Sequence, residues 1–271
     1  MKKKVLTVLI VAALLSGFSL LLYPTVSDYM NRVSRAKDIS GHVETVANIE
    51  DKDYKSIWDS AVKYNERLAS KPAHWRLNEQ ETADYESQLN IFGQGVMAYV
   101  EIPKIGCSLP IYHGTGVDVL QIAIGHLEGT SLPTGGKSTH CVVSGHRGLP
   151  SAKLFTGLDK LTEGDTFSVR TLDETLTYEV DRISIVLPTE TQKLQIVPGE
   201  DLFTLMTCTP YGVNTHRLLV RGHRIENGAG EEIRVTADAL QIDPVLAATF
   251  LAVPAALILM LTVLILIIRR R

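Results

Sequence analysis

Cys208 is the side chain in this sequence best suited to covalent chemistry. A thiol attacks as its thiolate, and a neighbouring imidazolium or guanidinium favours that form. His146 and Arg217 could supply both. Cys208 ends the apolar run Thr204-Leu205-Met206-Thr207 and is followed by the turn formers Pro210, Gly212 and Asn214; His146 likewise follows Val142-Val143-Ser144-Gly145. A strand ending in a reactive residue, with a loop in front of it, is where a scaffold exposes side chains for work. Arg217 lies nine residues beyond Cys208, a separation over which a strand, a turn and a returning antiparallel strand can set the two side by side. Taken singly, Cys208 also reads as a small buried hydrophobe and Arg217 as a surface arginine.

The other candidates are weaker. His140 and Cys141 are adjacent, and neighbours on a strand face opposite sides of a sheet, so they do not form a base and nucleophile pair. Alternation puts Cys141 and Val143 on the core face and His140, Val142 and Ser144 on the other. Cys107, between Gly106 and Ser108, reads as core filling. His216 points away from Arg217 on a regular strand. Ordinary surface or hydrogen-bonded roles are expected for His42, His74, His113 and His126. No phosphate-binding glycine loop, closely spaced cysteine pair or carboxylate cluster is present, so neither cofactor nor metal is expected.

The elements that must position these residues differ along the chain. Residues 28–70 are polar, with Ile49, Tyr54, Ile57, Trp58, Val62, Tyr64 and Leu68 at mostly three- and four-residue steps, predicting one or two amphipathic helices. Residues 71–95 carry Pro72, Gly93 and Gly95 and read as a lid-like loop with at most a short helix. From residue 96 to 226 the texture becomes β-like, with runs at 96–102, 109–112, 140–144, 166–170, 176–186, 202–207 and 217–225 separated by Gly, Pro and Asp. Seven or so strands in that length predict a closed or nearly closed barrel. A polar linker, 227–243, follows.

Both ends are apolar. Residues 5–23 and 244–268 contain no charged side chain and are long enough to span a bilayer as helices. Lys2, Lys3 and Lys4 precede the first run and the basic tail 269–271 follows the second, so both termini are expected inside and the middle outside. Segment 1–27 reads as a signal-anchor or, through Thr25 and Ser27 as a weak processing site, as a cleaved signal peptide; either leaves the middle outside. All 30 Asp and Glu lie between the two runs, against 21 of the 27 Lys and Arg. That acidic balance excludes nucleic acid as a partner, since binding it draws on clustered positive charge. The three cysteines, an odd and sparse set facing an oxidising exterior, suggest a core without disulfides.

Thr204 to Gly222 with Cys208 and Arg217, the run Ser144-Gly145-His146-Arg147-Gly148-Leu149-Pro150, and Ile102-Pro103-Lys104-Ile105 with Leu109-Pro110-Ile111-Tyr112-His113-Gly114-Thr115 together resemble the sortases of Gram-positive bacteria. Within them the chain is similar to the class C, pilus-assembling group. The resemblance spans roughly residues 96 to 225 and implies a mostly β protein: an eight-stranded sortase-type barrel with N-terminal helices, flanked by two transmembrane helices. It implies a membrane-bound cysteine transpeptidase whose catalytic domain is extracellular. Cys208 would attack the Thr carbonyl of an LPXTG-like sorting signal, His146 would act as general acid and base, and Arg217 would position substrate and stabilise the oxyanion. A pilin lysine would resolve the thioacyl intermediate. The implied partners are pilins or other surface proteins bearing such signals. A wall-attaching sortase using a peptidoglycan amine, and a non-catalytic scaffold that binds sorting signals, are the alternatives.

One departure concerns the lid. Class C sortases often carry an Asp-Pro-aromatic signature ahead of the barrel, and no such tripeptide occurs here. Lys71-Pro72-Ala73-His74-Trp75-Arg76 occupies that region and offers only Trp75 as a plug over Cys208; packing of Trp75 on the helices is the alternative. If Trp75 covers the cysteine, Trp75→Ala speeds labelling of Cys208 by a small thiol reagent and raises hydrolysis of a sorting peptide, with little change in melting temperature. Unchanged labelling with clear destabilisation would mark Trp75 as a packing residue.

Overall fold

The computed structural model describes residues 2–71, 76–91, 93 and 95–227, with the side chains of 2–9 and 11 outside that description. Three helices precede the barrel. α1 (Lys2–Ala47) runs through Pro24, and α2 (Asp51–Ala69) buries Ala61, Tyr64 and Asn65 on the face that the three- and four-residue steps predict. Asn65 pins α2 to the barrel: its Nδ2 donates to Leu132 O (3.1 Å) and Thr134 Oγ1 (2.9 Å), and its Oδ1 accepts from Leu132 N (2.7 Å).

α3 (Glu79–Ser87) lies within the stretch expected to be mostly loop. Its start is a reciprocal cap: Asn78 Oδ1 accepts from Gln80 N and Glu81 N, both at 3.0 Å, and Asn78 N donates to Glu81 Oε2 at 3.1 Å. Two orphan amides of the first turn are thus satisfied, and Tyr85 is left to enter the core.

Eight strands close into a barrel in the order β1-β2-β3-β4-β7-β8-β6-β5. They are β1 (Val96–Ile102), β2 (Cys107–His113), β3 (Ile124–His126), β4 (Thr139–Ser144), β5 (Thr166–Thr171), β6 (Glu174–Val186), β7 (Asp201–Thr209) and β8 (His216–Ile225). Pairs β2/β3 and β4/β7 are parallel and the rest antiparallel. The strand absent from the sequence reading is β3, whose three residues are all buried and so show no alternation. It follows a short helix, α4 (Val117–Ile122).

Strand faces follow the predicted alternation. Cys141, Val143, Phe203, Leu205, Leu218 and Val220 join the main core, whereas Val142, Met206 and Leu219 form a smaller cluster on the outer face with Val186 and Leu194. Closing the sheet leaves no long open edge. The three cysteines are free thiols, so packing rather than covalent cross-links holds the barrel.

Among the described residues no helix is long and apolar enough to cross a membrane. The expected span 244–268 lies outside the described residues, as do the first side chains of the span at 5–23.

His126 and His140 serve as buried neutral hydrogen-bonding groups. His126 donates Nε2–H to Ser131 O (2.8 Å), with Nδ1 2.9 Å from Tyr85 Oη. His140 donates Nδ1–H to Gln195 O (2.8 Å), with Nε2 2.8 Å from Thr204 Oγ1. Burial lowers both imidazoles to about 4 from an ordinary 6.5, and burial with Arg170 does the same for His42. A base depressed in the fold leaves stability intact above its unfolded value; as pH falls from 6.5 towards 4 the unfolded chain takes up a proton that the fold refuses. Each such histidine then costs up to about 3 kcal/mol, levelling off below pH 4. Urea unfolding should therefore show stability declining between pH 6.5 and 4, and His126→Gln, though weaker at pH 7, should decline less steeply. Parallel profiles would refute a neutral His126.

Candidate active site

The register of β7 between its two neighbours assembles the site. β4 and β7 run parallel with Val143 opposite Leu205 and Ser144 opposite Met206. Each chain continues two residues further, to His146 and to Cys208, so both arrive at the same end of the barrel on adjacent paths. Contacts carry the pairing past the ladder: Gly145 N donates to Met206 O (3.0 Å), and Thr207 Oγ1 donates to Gly145 O (2.7 Å). On the other side, Cys208 is the direct antiparallel partner of Arg217. Directly opposed residues share a face, with Cβ atoms about 5 Å apart. Cys208 thus stands on the middle strand, between the chain that bears His146 and the strand that bears Arg217.

Arg217 is held by its own surroundings, because its Nη1 donates to Asn214 O (3.3 Å) in the β7–β8 turn and to His216 O (3.1 Å) at the start of β8. The same turn reaches across to the His146 loop. Tyr211 lies against the Arg147 guanidinium, 5.7 Å from ring centroid to Cζ, and Arg147 Nη2 is paired with Asp159 at 2.7 Å. Glycine is required where these chains close on one another. A Cβ on Gly145 would lie 2.7 Å from Ile124 and 2.8 Å from Phe155, and one on Gly148, whose φ is +80°, would lie 2.5 Å from the Tyr211 ring.

Cys107 and Cys208 are both partly exposed, but Cys107 packs against the main core, Cys141 lies within it, and Cys208 belongs to neither apolar cluster. Burial pushes the Cys107 thiol up to about 12, Arg35 opposing only in part, and pushes Cys141 well above its ordinary value. Neither is poised to ionise. His140 sits on the opposite side of β4 from Cys141, bonded to Thr204 and the β6–β7 connection, as the alternation argument requires. His216 pairs with Thr209 in the ladder, one step from the Cys208 position. Trp75 and His74 lie outside the described residues.

Thr204, Met206 and Cys208 of β7 and Arg217, Leu219 and Arg221 of β8 alternate on one outer face. A cleft of about 290 Å³ opens on it, lined by Thr204, Leu219 and Arg221 and walled by Ile196, Val197 and Pro198 of the β6–β7 connection. Arg182 and Lys193 also line it, whereas Arg221 is paired with Asp181. The cleft thus lies on the same face as Cys208 and Arg217, without either residue lining it. Sequence reasoning missed Thr207, Tyr211 and the Asp159 partner of Arg147. Thr207 had a signal, a hydroxyl at an inward position of an otherwise apolar strand face, but its acceptor is 62 residues away.

Comparison with known proteins fits this geometry. The sortase domain family matches residues 100–225. Sortase C1 of Streptococcus agalactiae is 53% identical over 71% of this chain and 100% of its own, with a TM-score of 0.69. The Streptococcus pneumoniae sortase C, whose structure was solved in connection with catalysis and pilin substrate specificity, is 42% identical over 71% of this chain and 98% of its own, with a TM-score of 0.64. Sortase D of Bacillus subtilis is 30% identical over 46% of this chain and 62% of its own length. The chain thus spans less than two thirds of the curated relatives it matches, between 41% and 62% of their length. The closed eight-stranded barrel, with a cysteine and an arginine paired across β7 and β8, fits the sortase fold of these relatives. The chain belongs to the sortase family, and within it to class C.

At neutral pH a limiting dose of a small alkylating reagent should modify Cys208 and leave Cys107 and Cys141 untouched until the protein is unfolded. Peptide mapping by mass spectrometry reads the outcome directly. Comparable labelling of Cys141 in the folded protein would contradict the core assignment.

Proposed function

We propose that this chain is a pilin-polymerising transpeptidase that uses Cys208, His146 and Arg217. One observation carries the reading: the partly exposed cysteine is flanked on adjacent chains by the histidine and the arginine, with a cleft on the same outer face of β7 and β8. In the first half-reaction the Cys208 thiolate attacks the Thr carbonyl of an LPXTG-like sorting signal. The Arg217 guanidinium, braced by two backbone carbonyls, stabilises the oxyanion without having to reorganise. As the tetrahedral intermediate collapses, the peptide C–N bond breaks and His146 gives its proton to the departing amine. The thioester conserves acyl-transfer potential.

In the second half-reaction a pilin lysine amine attacks the thioester, His146 takes the proton released, and Cys208 leaves as thiolate. The product is an isopeptide bond, with reactants and products balanced and no cofactor consumed. The pilin lysine as final nucleophile draws support from the likeness to class C structures, one of them described in terms of pilin specificity. The apolar runs at 5–23 and 244–268 would anchor the chain in the cell membrane with the barrel outside, and Trp75 would serve as the lid residue.

Cys208→Ala should abolish both cleavage of a sorting peptide and formation of polymer, whereas Cys107→Ala and Cys141→Ala should at most lower stability. His146→Ala should lose nearly all activity, and Arg217→Ala about 10² or more in rate, the scale for removing one oxyanion donor. Mass spectrometry of the barrel incubated with candidate pilins tests the acceptor. Inter-protein isopeptide links support the pilin reading, and links only to a peptidoglycan amine would replace it with wall attachment. Turnover by Cys208→Ala would end the reading altogether.

A further inference from the structure

The loop that follows His146 is gripped from outside the barrel by α1. Lys153 N donates to Asp28 Oδ1 at 2.9 Å, and Asn31 Nδ2 donates to Ser151 O at 2.8 Å, contacts between residues 125 and 120 positions apart in sequence. One turn further along α1, Arg35 Nη1 donates to Ile122 O at 3.1 Å, and Asp38 Oδ2 accepts from Tyr112 Oη at 3.0 Å. Asp28 and Arg35 are only 6% and 5% exposed, so these contacts are largely shielded from solvent, and Asp28 also pairs with Arg32 at 3.3 Å.

The gripped segment leads straight back to His146. Phe155 N, two residues after Lys153, donates to His146 O at 3.1 Å, and the fully buried Phe155 ring fills the space that Gly145 leaves open. Between the grip and that bond lies Leu154, with φ at +30°, a conformation that costs a non-glycine residue energy and persists only when its surroundings impose it. Within the loop, Leu149 bridges Ala152, and Gly148 N donates to Thr156 Oγ1 at 3.0 Å. The loop is therefore a closed unit whose far side rests on Asp28 and Asn31 and whose near side is the His146 backbone.

We propose that Asp28 and Asn31 are positioning residues for His146, acting through the 151–155 segment; this rests on the catalytic reading of His146 given above. Without Asp28 the Lys153 amide loses its acceptor, Leu154 relaxes, and the Phe155 to His146 bond loosens. The imidazole then spreads over positions from which proton transfer is slow, since small misplacements of a reacting group weigh heavily on rate. Substrate binding, in the cleft on the other side of β7, is left alone.

Steady-state cleavage of a sorting peptide by the full chain in detergent micelles, paired with amide exchange at Phe155, tests this. Asp28→Ala and Asn31→Ala should each lower kcat by about tenfold with KM within about twofold, and should speed exchange at Phe155. Asp28→Asn, which keeps an acceptor oxygen for Lys153 N–H, should restore both readings. Asn31→Ala, which leaves Asp28 in place, serves if Asp28→Ala fails to fold. Wild-type kcat with unchanged Phe155 exchange in the alanine variants overturns the proposal, and so does an Asp28→Asn enzyme as slow as Asp28→Ala. Failure of the catalytic reading shows separately, as cleavage that persists in His146→Ala, while the exchange data still decide whether α1 holds the loop.

Discussion

The register of β7 decides where every reactive side chain points. It is pinned on one side by six parallel partners in β4 and on the other by eight antiparallel partners in β8. A slip of one residue would turn Cys208 into the core and bring Thr207 or Thr209 out. The slip is opposed by Phe203 and Leu205 inside, by Met206 in the outer apolar cluster, and by the Thr207 hydroxyl on the Gly145 carbonyl. Exposure and packing are therefore read from the same alternation, and Cys208 differs from Cys141 chiefly in which side of a strand it occupies.

Polar groups fix the periphery where apolar packing alone would leave choices open. Asn65 seats α2 on the 132–134 loop, Tyr85 carries α3 onto His126, and His140 ties the β6–β7 connection to β7 through Thr204. Each replaces water at a buried donor or acceptor, so its loss would leave an unsatisfied group rather than a missing contact. That is why His126 and His140 are neutral fixtures, and why a count of histidines says little about where proton transfer takes place.

Much of this was legible in sequence because it depends on short-range periods. Alternation separated Cys141 from His140 and set Cys208 beside a returning strand, and the three- and four-residue steps marked the buried face of α2. Asn78 and Glu81 spell a capping box, so α3 could have been read locally but was hidden in a stretch judged by its Pro and Gly content. β3 could not, since three buried residues carry no period. The α1 grip was invisible for a different reason: an aspartate on a helix and a backbone amide 125 residues later share no pattern, and only the closed barrel brings them together.

The parallel pairing of β4 with β7 also dictates when the protein can act. Parallel neighbours need a long crossover, and here it contains β5 and β6, which pair with each other and with β1 and β8. Such long-range pairing is formed late and slowly. Arg217 lies on the last strand, so a chain emerging N-terminus first has no complete constellation until nearly the whole barrel has emerged. A chain still lacking that strand carries the thiol without its cross-strand arginine. Strand order thus keeps the cysteine, the histidine and the arginine apart until the last strand has paired.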